Sequence, residues 1–247
     1  MPDGSEISLM FGRIAHRYDL ANLLLSGGLC TRWTRRLARA AAGHLTGPGA
    51  FAVDLATGSG DVAFALARFA PSARICGLDF CEPMLQEAKK RLAAARETTL
   101  HAKKEDITAP ARITFRHGDC AALPLADASA DVVTIAYGVR NLQDRPKGLR
   151  EIHRVLRPGG SAFILEFSQP ARWFSPPYYF YVRHILPTLA RAATGDRLAY
   201  KYLGDSIATF PPRDKFSREL LDAGFCEVRS TALTLGIVAI HHARKTA

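Results

Sequence analysis

The chain lacks the usual marks of a metal site, a membrane span or a disulfide scaffold. Its five cysteines stand at 30, 76, 81, 120 and 226 and form no C-x-x-C pair. Cys76 and Cys81 flank an expected strand end, a poor arrangement for zinc, so no metal is expected. They read as buried or reduced thiols of a cytosolic protein. No apolar run approaches the roughly 18–20 residues that cross a bilayer, so any membrane contact must be peripheral. The first residues are polar (Asp3, Ser5, Glu6), and no secretory signal is expected. There is no internal repeat. Acids are outnumbered, 23 against 33 bases, for a net charge of +10. Yet no Lys/Arg block is long enough to read as a nucleic-acid tail.

What is present is an ample core and a regular alternation of elements. Hydrophobic residues make up 48% of the 247. Residues 6–46 read as helical, with a Gly27-Gly28 break. Strands are expected at Phe51–Leu55, Ala73–Asp79, Arg112–His117, Asp131–Ala136 and Ser161–Phe167. Helices are expected at Asp61–Phe69, Glu82–Glu97 and Arg145–Leu156, the last closed by Arg157-Pro158-Gly159-Gly160. Thr98–Ala111 reads as a loop. After an aromatic and arginine-rich stretch, a helix at Lys215–Ala223 precedes strands at Phe225–Ser230 and Ala232–His241, close enough for an antiparallel pair. The alternation implies an α/β, Rossmann-like fold: a mostly parallel sheet with helices on both faces and a C-terminal antiparallel strand pair. The chain reads as one domain, 1–247, with an N-terminal helical arm (1–46) and a helical insertion (168–210) that covers the ligand.

Phe51–Asp61 reads F-A-V-D-L-A-T-G-S-G-D, a strand, a glycine turn and a helix start. Glycines let backbone approach a ligand at a helix N-terminus. Gly58-x-Gly60 alone would also suit a dinucleotide. The acids separate the options. Asp61 at the helix start would repel a phosphate, and Asp54 adds a second negative charge. S-adenosylmethionine carries a sulfonium and an ammonium but no phosphate. Asp79, ending the next strand, is placed for two ribose hydroxyls, Ser59 for the amino-acid end, and Asp119-Cys120 for the adenine edge. The competing reading is that Asp54 and Asp61 only cap the loop and helix.

With these residues in place, the chain resembles the UbiE/MenG family of ubiquinone and menaquinone biosynthesis methyltransferases over nearly its whole length. The resemblance rests on Phe11 to Asn22 with Tyr18-Asp19, on Tyr137-Gly138-Val139-Arg140-Asn141 with Asp144, and on Arg154 to Gly160. It continues through Leu165-Glu166-Phe167-Ser168, Tyr200-x-Tyr202-Leu203 and Leu235-Gly236-x-Val238-Ala239-x-His241. It implies a class I methyltransferase fold of seven strands and C-methylation of a polyprenyl hydroquinone, demethylmenaquinol foremost. It also implies cofactor contacts at Ser59, Asp79, Asp119 and Cys120, with a further one at Ala136, where a serine is usual.

Such chemistry needs a ring carbon made nucleophilic by deprotonating an adjacent hydroxyl. Arg140, always protonated, is a poor base but suits a developing phenolate. Asn141 is placed to orient the hydroxyl or a water. Alternatively, Arg140 merely pairs with Asp144. His16, His184 and His241 are candidate bases, and Tyr18 is expected either over the cofactor or in helix packing. Trp173, Phe174, Tyr178, Tyr179, Phe180 and Tyr181, interleaved with Arg172 and Arg183, suit a tail groove, a peripheral membrane patch or homodimer packing. A different phenolic acceptor and a cofactor-binding, non-catalytic homologue remain open. A nucleic-acid partner is not expected, because no N/D-P-P-Y/F segment occurs in the right region.

Overall fold

The computed structural model describes residues 26–101, 112–186 and 197–247, together with positions 6, 9, 10, 12, 13, 15, 23 and 188. Helix α1 is Leu29–Ala42. Then come β1 Phe51–Leu55, α2 Asp61–Phe69, β2 Arg74–Asp79 and α3 Glu82–His101. Next are β3 Ile113–His117, β4 Ala130–Ala136, α4 Arg145–Val155 and β5 Leu156–Phe167. Helix α5, Ser175–Phe180, continues as a π-helical turn through Ile185. Helices α6 Arg197–Thr209 and α7 Arg213–Asp222 precede β6 Glu227–Leu233 and β7 Val238–Arg244.

The seven strands form one sheet in the order β3-β2-β1-β4-β5-β7-β6. Strands β1 to β5 pair in parallel, while β7 runs antiparallel to both β5 and β6. Side chains alternate between faces along each strand. Ala52 joins the core packed by α1, α2 and α3, and Val53 joins the one packed by α4 and α7. The chain leaves β1 towards β2 on one side and returns as β4 on the other. That change of direction opens a crevice beyond the carboxyl ends of β1 and β4, the usual ligand position in such sheets.

Strand β1 and helix α2 fall where the sequence places them. Helix α3 runs on to His101, beyond the expected end at Glu97, while residues 102–111 lie outside the described residues. Helix α4 stops at Val155 because Leu156 already pairs with Ala130 of β4. Arg157–Gly160 is therefore a bulge within β5, with Gly159 at φ 75°, before the ladder resumes at Ser161 and Val132. The last two strands begin later than expected, since Gly224, at φ 105°, and the residues after it close α7 first. In α5 the residues Tyr178, Val182 and Leu186 bury one face against Ile207 of α6.

Candidate active site

The crevice holds a cavity of about 330 Å³, within the usual range for small-molecule sites. Its walls are the turn after β1 (Ala56–Ser59), the β2–α3 junction (Asp79–Cys81, Met84) and the turn after β4 (Ala136–Gly138, Asn141). Leu23 and Cys30, Thr31 and Thr34 of α1 close it from the N-terminal side.

The glycine turn is built for close approach. Gly58 and Gly60 adopt φ of 55° and 91°, where only glycine is unstrained. A Cβ on Gly60 would stand 2.7 Å from the Phe115 ring, and one on Gly58 3.2 Å from Met84. The turn is fixed by Thr57 N donating to Leu78 O (3.0 Å) and by Gly58 N donating to Asp79 Oδ2 (2.8 Å). Asp79 Oδ1 accepts from Cys81 N at 2.9 Å. The two Asp79 oxygens, which also accept from Phe80 N, keep acceptor capacity beyond these bonds. Burial pushes this carboxyl's pKa up, and its backbone N–H bonds pull it back.

Asp54 does not border the cavity. It lies beneath the turn, 1% exposed, accepting from Thr57 Oγ1 (2.6 Å) and Thr134 Oγ1 (2.7 Å). Burial raises its pKa to about 7. Of the two sequence readings, the loop-capping one describes its place: β1 turns this side chain inward, so it holds the turn and does not face a ligand. Asp61 does border the cavity, but Arg91 pairs with it at 2.9 Å and also donates to Ser59 O at 2.9 Å. Arg91 is the only Lys or Arg on the described lining. It is already matched, so the charge that a phosphate would seek is spent.

Asp119 is exposed and binds Ala121 N at 2.8 Å, while Cys120 is buried in the core below the turn, its thiol pushed up to about 12 by burial. Neither lines the cavity. Ala136 and Ser59 do. Tyr18 and His16 lie outside the described residues. His241 is buried in β7 against Phe216, its pKa lowered to about 4 by burial, and His184 is exposed on α5's continuation beside Phe180. Among the described residues, no histidine borders the cavity.

Arg140 and Asn141 occupy a 3-10 turn after β4. Asn141 lines the cavity and its Oδ1 accepts from Tyr202 OH of α6 at 3.0 Å. Arg140 sits behind that wall, 4% exposed. Its partner is Glu166 of β5 at 2.8 Å, with side chains only 3% and 1% exposed. Its Nη1 also donates to Tyr137 O, and its guanidinium lies 5.3 Å from the centre of the Phe167 ring. Asp144, the expected partner, instead caps α4 by accepting from Lys147 N at 2.9 Å. Glu166 and Tyr202 carried no role in the sequence, because their partners lie 26 and 61 residues away. Phe80 and Met84 also line the cavity. Their signal was adjacency to a strand-end acid.

These residues fit S-adenosylmethionine: a carboxylate with spare acceptors, a glycine cradle that a Cβ would fill, and no unmatched cation for phosphate on the described lining. The sequence model of the ubiE/COQ5 methyltransferase family matches residues 3–245. A Geobacter sp. (strain M21) protein, named ubiquinone/menaquinone biosynthesis C-methyltransferase UbiE, is 41% identical over 96% of this chain and 95% of its own length. The Thermus thermophilus demethylmenaquinone methyltransferase is 40% identical over 94% and 98%. Among solved structures, a Thermotoga maritima S-adenosylmethionine-dependent methyltransferase, described as a possible histamine N-methyltransferase, superposes with a TM-score of 0.63. It is 18% identical and covers 96% of this chain and 99% of its own. The [4+2]-cyclase SpnF superposes at 0.69, with 16% identity and coverage of 100% and 97%. At such identities the structures share only a fold, and that fold also carries a cyclisation. The two bacterial enzymes match this chain from end to end, and on that likeness the chain belongs to the ubiE/COQ5 methyltransferase family.

Proposed function

We propose that this protein transfers a methyl group from S-adenosylmethionine to a ring carbon of a polyprenyl hydroquinone, demethylmenaquinol foremost. The observation that carries this reading is the end-to-end identity of about 40% with relatives named for that reaction. When bound, S-adenosylmethionine supplies an activated methyl group beside a positive sulfur. Asp79 and the Gly58–Gly60 turn, with Ser59, would hold it. Asn141 bridges from that cavity to Tyr202 of the insertion, the side from which an acceptor would be covered. Arg140 is assigned the phenolate. Its Nη1 is spent on Glu166 and Tyr137 O, but its buried Nε has no partner among the described residues. An N–H donor held ready in a water-poor site stabilises developing negative charge without reorganising.

The acceptor's tail suggests a peripheral membrane contact. Trp173 is 71% exposed and Phe180 59%, and no Asp or Glu occurs between Glu166 and Asp196. Among the described residues no helix is long and apolar enough to cross a membrane.

The test is incubation with methyl-labelled S-adenosylmethionine and, separately, demethylmenaquinol, the equivalent polyprenyl benzoquinol and a tail-less phenol. Label on a ring carbon of a polyprenyl quinol is expected. Label on the tail-less phenol alone would move the chain to another acceptor, and none on any would leave a cofactor-binding homologue.

A further inference from the structure

We infer that the Tyr178 hydroxyl is a second hydrogen-bond donor to the acceptor's phenolate oxygen, acting beside Arg140 Nε. This rests on the reading of the chain as a quinol methyltransferase and adds a catalytic residue to it. Tyr178 is 7% exposed, and among the described residues its hydroxyl has no hydrogen-bond partner. Folded proteins leave few buried polar atoms in that condition, and each calls for an explanation. Arg140 Nε is the same case.

Phe167 links the two orphans. The Arg140 guanidinium lies 5.3 Å from that ring's centre. Phe167 also packs against the cluster of Tyr178, Val182, Leu186 and Ile207. The Arg140 charge acts on the Tyr178 phenol itself. On its other side, Phe167 meets the Tyr137 ring at 5.2 Å, and Tyr137 borders the donor cavity. Phe167 and Tyr137 thus connect the two unpartnered donors to the wall of that cavity.

Their chemistry selects the ligand. Arg Nε–H can only donate. Burial raises the Tyr178 pKa more than Arg140 lowers it, so its hydroxyl keeps its proton and donates too. Two buried donors without an acceptor suit an anionic oxygen. A neutral phenol would satisfy them less well, because hydrogen bonds to an ionised acceptor are roughly twice as strong. Tyr202 does not compete for this role, since its hydroxyl is already given to Asn141.

The experiment compares the wild type with Tyr178→Phe and Arg140→Lys, the latter keeping a charge against Glu166 but losing the Nε–H fork. In Tyr178→Phe, Tm should equal or exceed the wild-type value, because an unsatisfied buried hydroxyl is removed. Affinity for S-adenosylmethionine should not change. Turnover of demethylmenaquinol should fall about tenfold to a hundredfold, with the acid limb of its pH profile moved to higher pH. Arg140→Lys should move the limb the same way. As a readout without turnover, 4-nitrophenol is titrated on the protein with S-adenosylhomocysteine. The wild type should hold it ionised at a lower pH than Tyr178→Phe does. Unchanged turnover and pH profile in Tyr178→Phe would overturn the assignment, as would identical nitrophenol titrations or no nitrophenolate bound by the wild type. A wild type that methylates no quinol yet shows the nitrophenol difference would instead sink the proposed reaction and leave the phenolate site standing.

Discussion

Asp54 faces two threonine hydroxyls and not, as its sequence position suggests, the ligand cavity. The alternation of β1 turns it inward, where two threonine hydroxyls bind it and burial lifts its pKa from 3.8 to about 7. A folded carboxyl that titrates above its unfolded value binds more protons than the unfolded chain between those two values. Its contribution is therefore full below about 4, declines as pH rises to about 7, and is level beyond. The neutral isostere Asp54→Asn should escape that decline. Relative to the wild type, it should gain stability between pH 4 and pH 7, by at most about 4 kcal/mol for a shift of roughly three units. Urea unfolding of both proteins at pH 5 and pH 8 measures this, and parallel behaviour would refute it. At this scale Asp79 was legible, because a strand-end acid after a glycine turn has few other places to point. The Arg140 partner was not, because Glu166 becomes a neighbour only when β4 pairs with β5.

At the scale of elements, the turns after β1 and β4 meet over the cavity, and both are strained. Ala56 and Tyr137 hold φ of 47° and 56°, a region costly for residues with a Cβ. Gly138 makes their meeting possible, since a Cβ there would stand 2.6 Å from the Ala56 Cβ. Gly138→Ala should lower stability by roughly 1–3 kcal/mol through overpacking. It should also weaken S-adenosylmethionine binding by pushing the two turns apart. Thermal unfolding and calorimetric titration with S-adenosylhomocysteine test both, and normal affinity would show that the turns move independently. β1 and α2 were legible to the residue because an apolar run, a glycine pair and a helix start follow each other without a gap. The start of β5 was not, since Arg-Pro-Gly-Gly reads as a full stop and only sheet register reveals it as a bulge.

At the scale of the whole molecule, the alternating sequence pattern made the sheet and its antiparallel end legible, while the strand order came only with the fold. Helices α5 and α6 stand where that pattern breaks, but the two faces of α5 could not be read from the sequence. One face packs Tyr178, Val182 and Leu186 inward, and the other leaves Phe180 to solvent, as the turn before α5 leaves Trp173. If that outer face meets a bilayer, the double variant Trp173→Ser/Phe180→Ser should co-sediment at least roughly tenfold less with vesicles containing phosphatidylglycerol. Its turnover of a tail-less quinol should be unchanged. Binding indifferent to anionic lipid, or equal in wild type and variant, would rule the surface out, and a change of oligomeric state would assign it to a second copy.

The bond from Tyr202 to Asn141 joins helix α6 to the lining of the cavity. A ligand that tightens this contact from one side changes the affinity of a ligand on the other. Thermodynamic linkage makes that effect reciprocal and equal in size. If methyl donor and acceptor bind on the two sides of this bond, they are cooperating effectors of each other. Spent donor would then loosen its hold as the methylated ring departs, and this hydrogen bond would help to set the order of release.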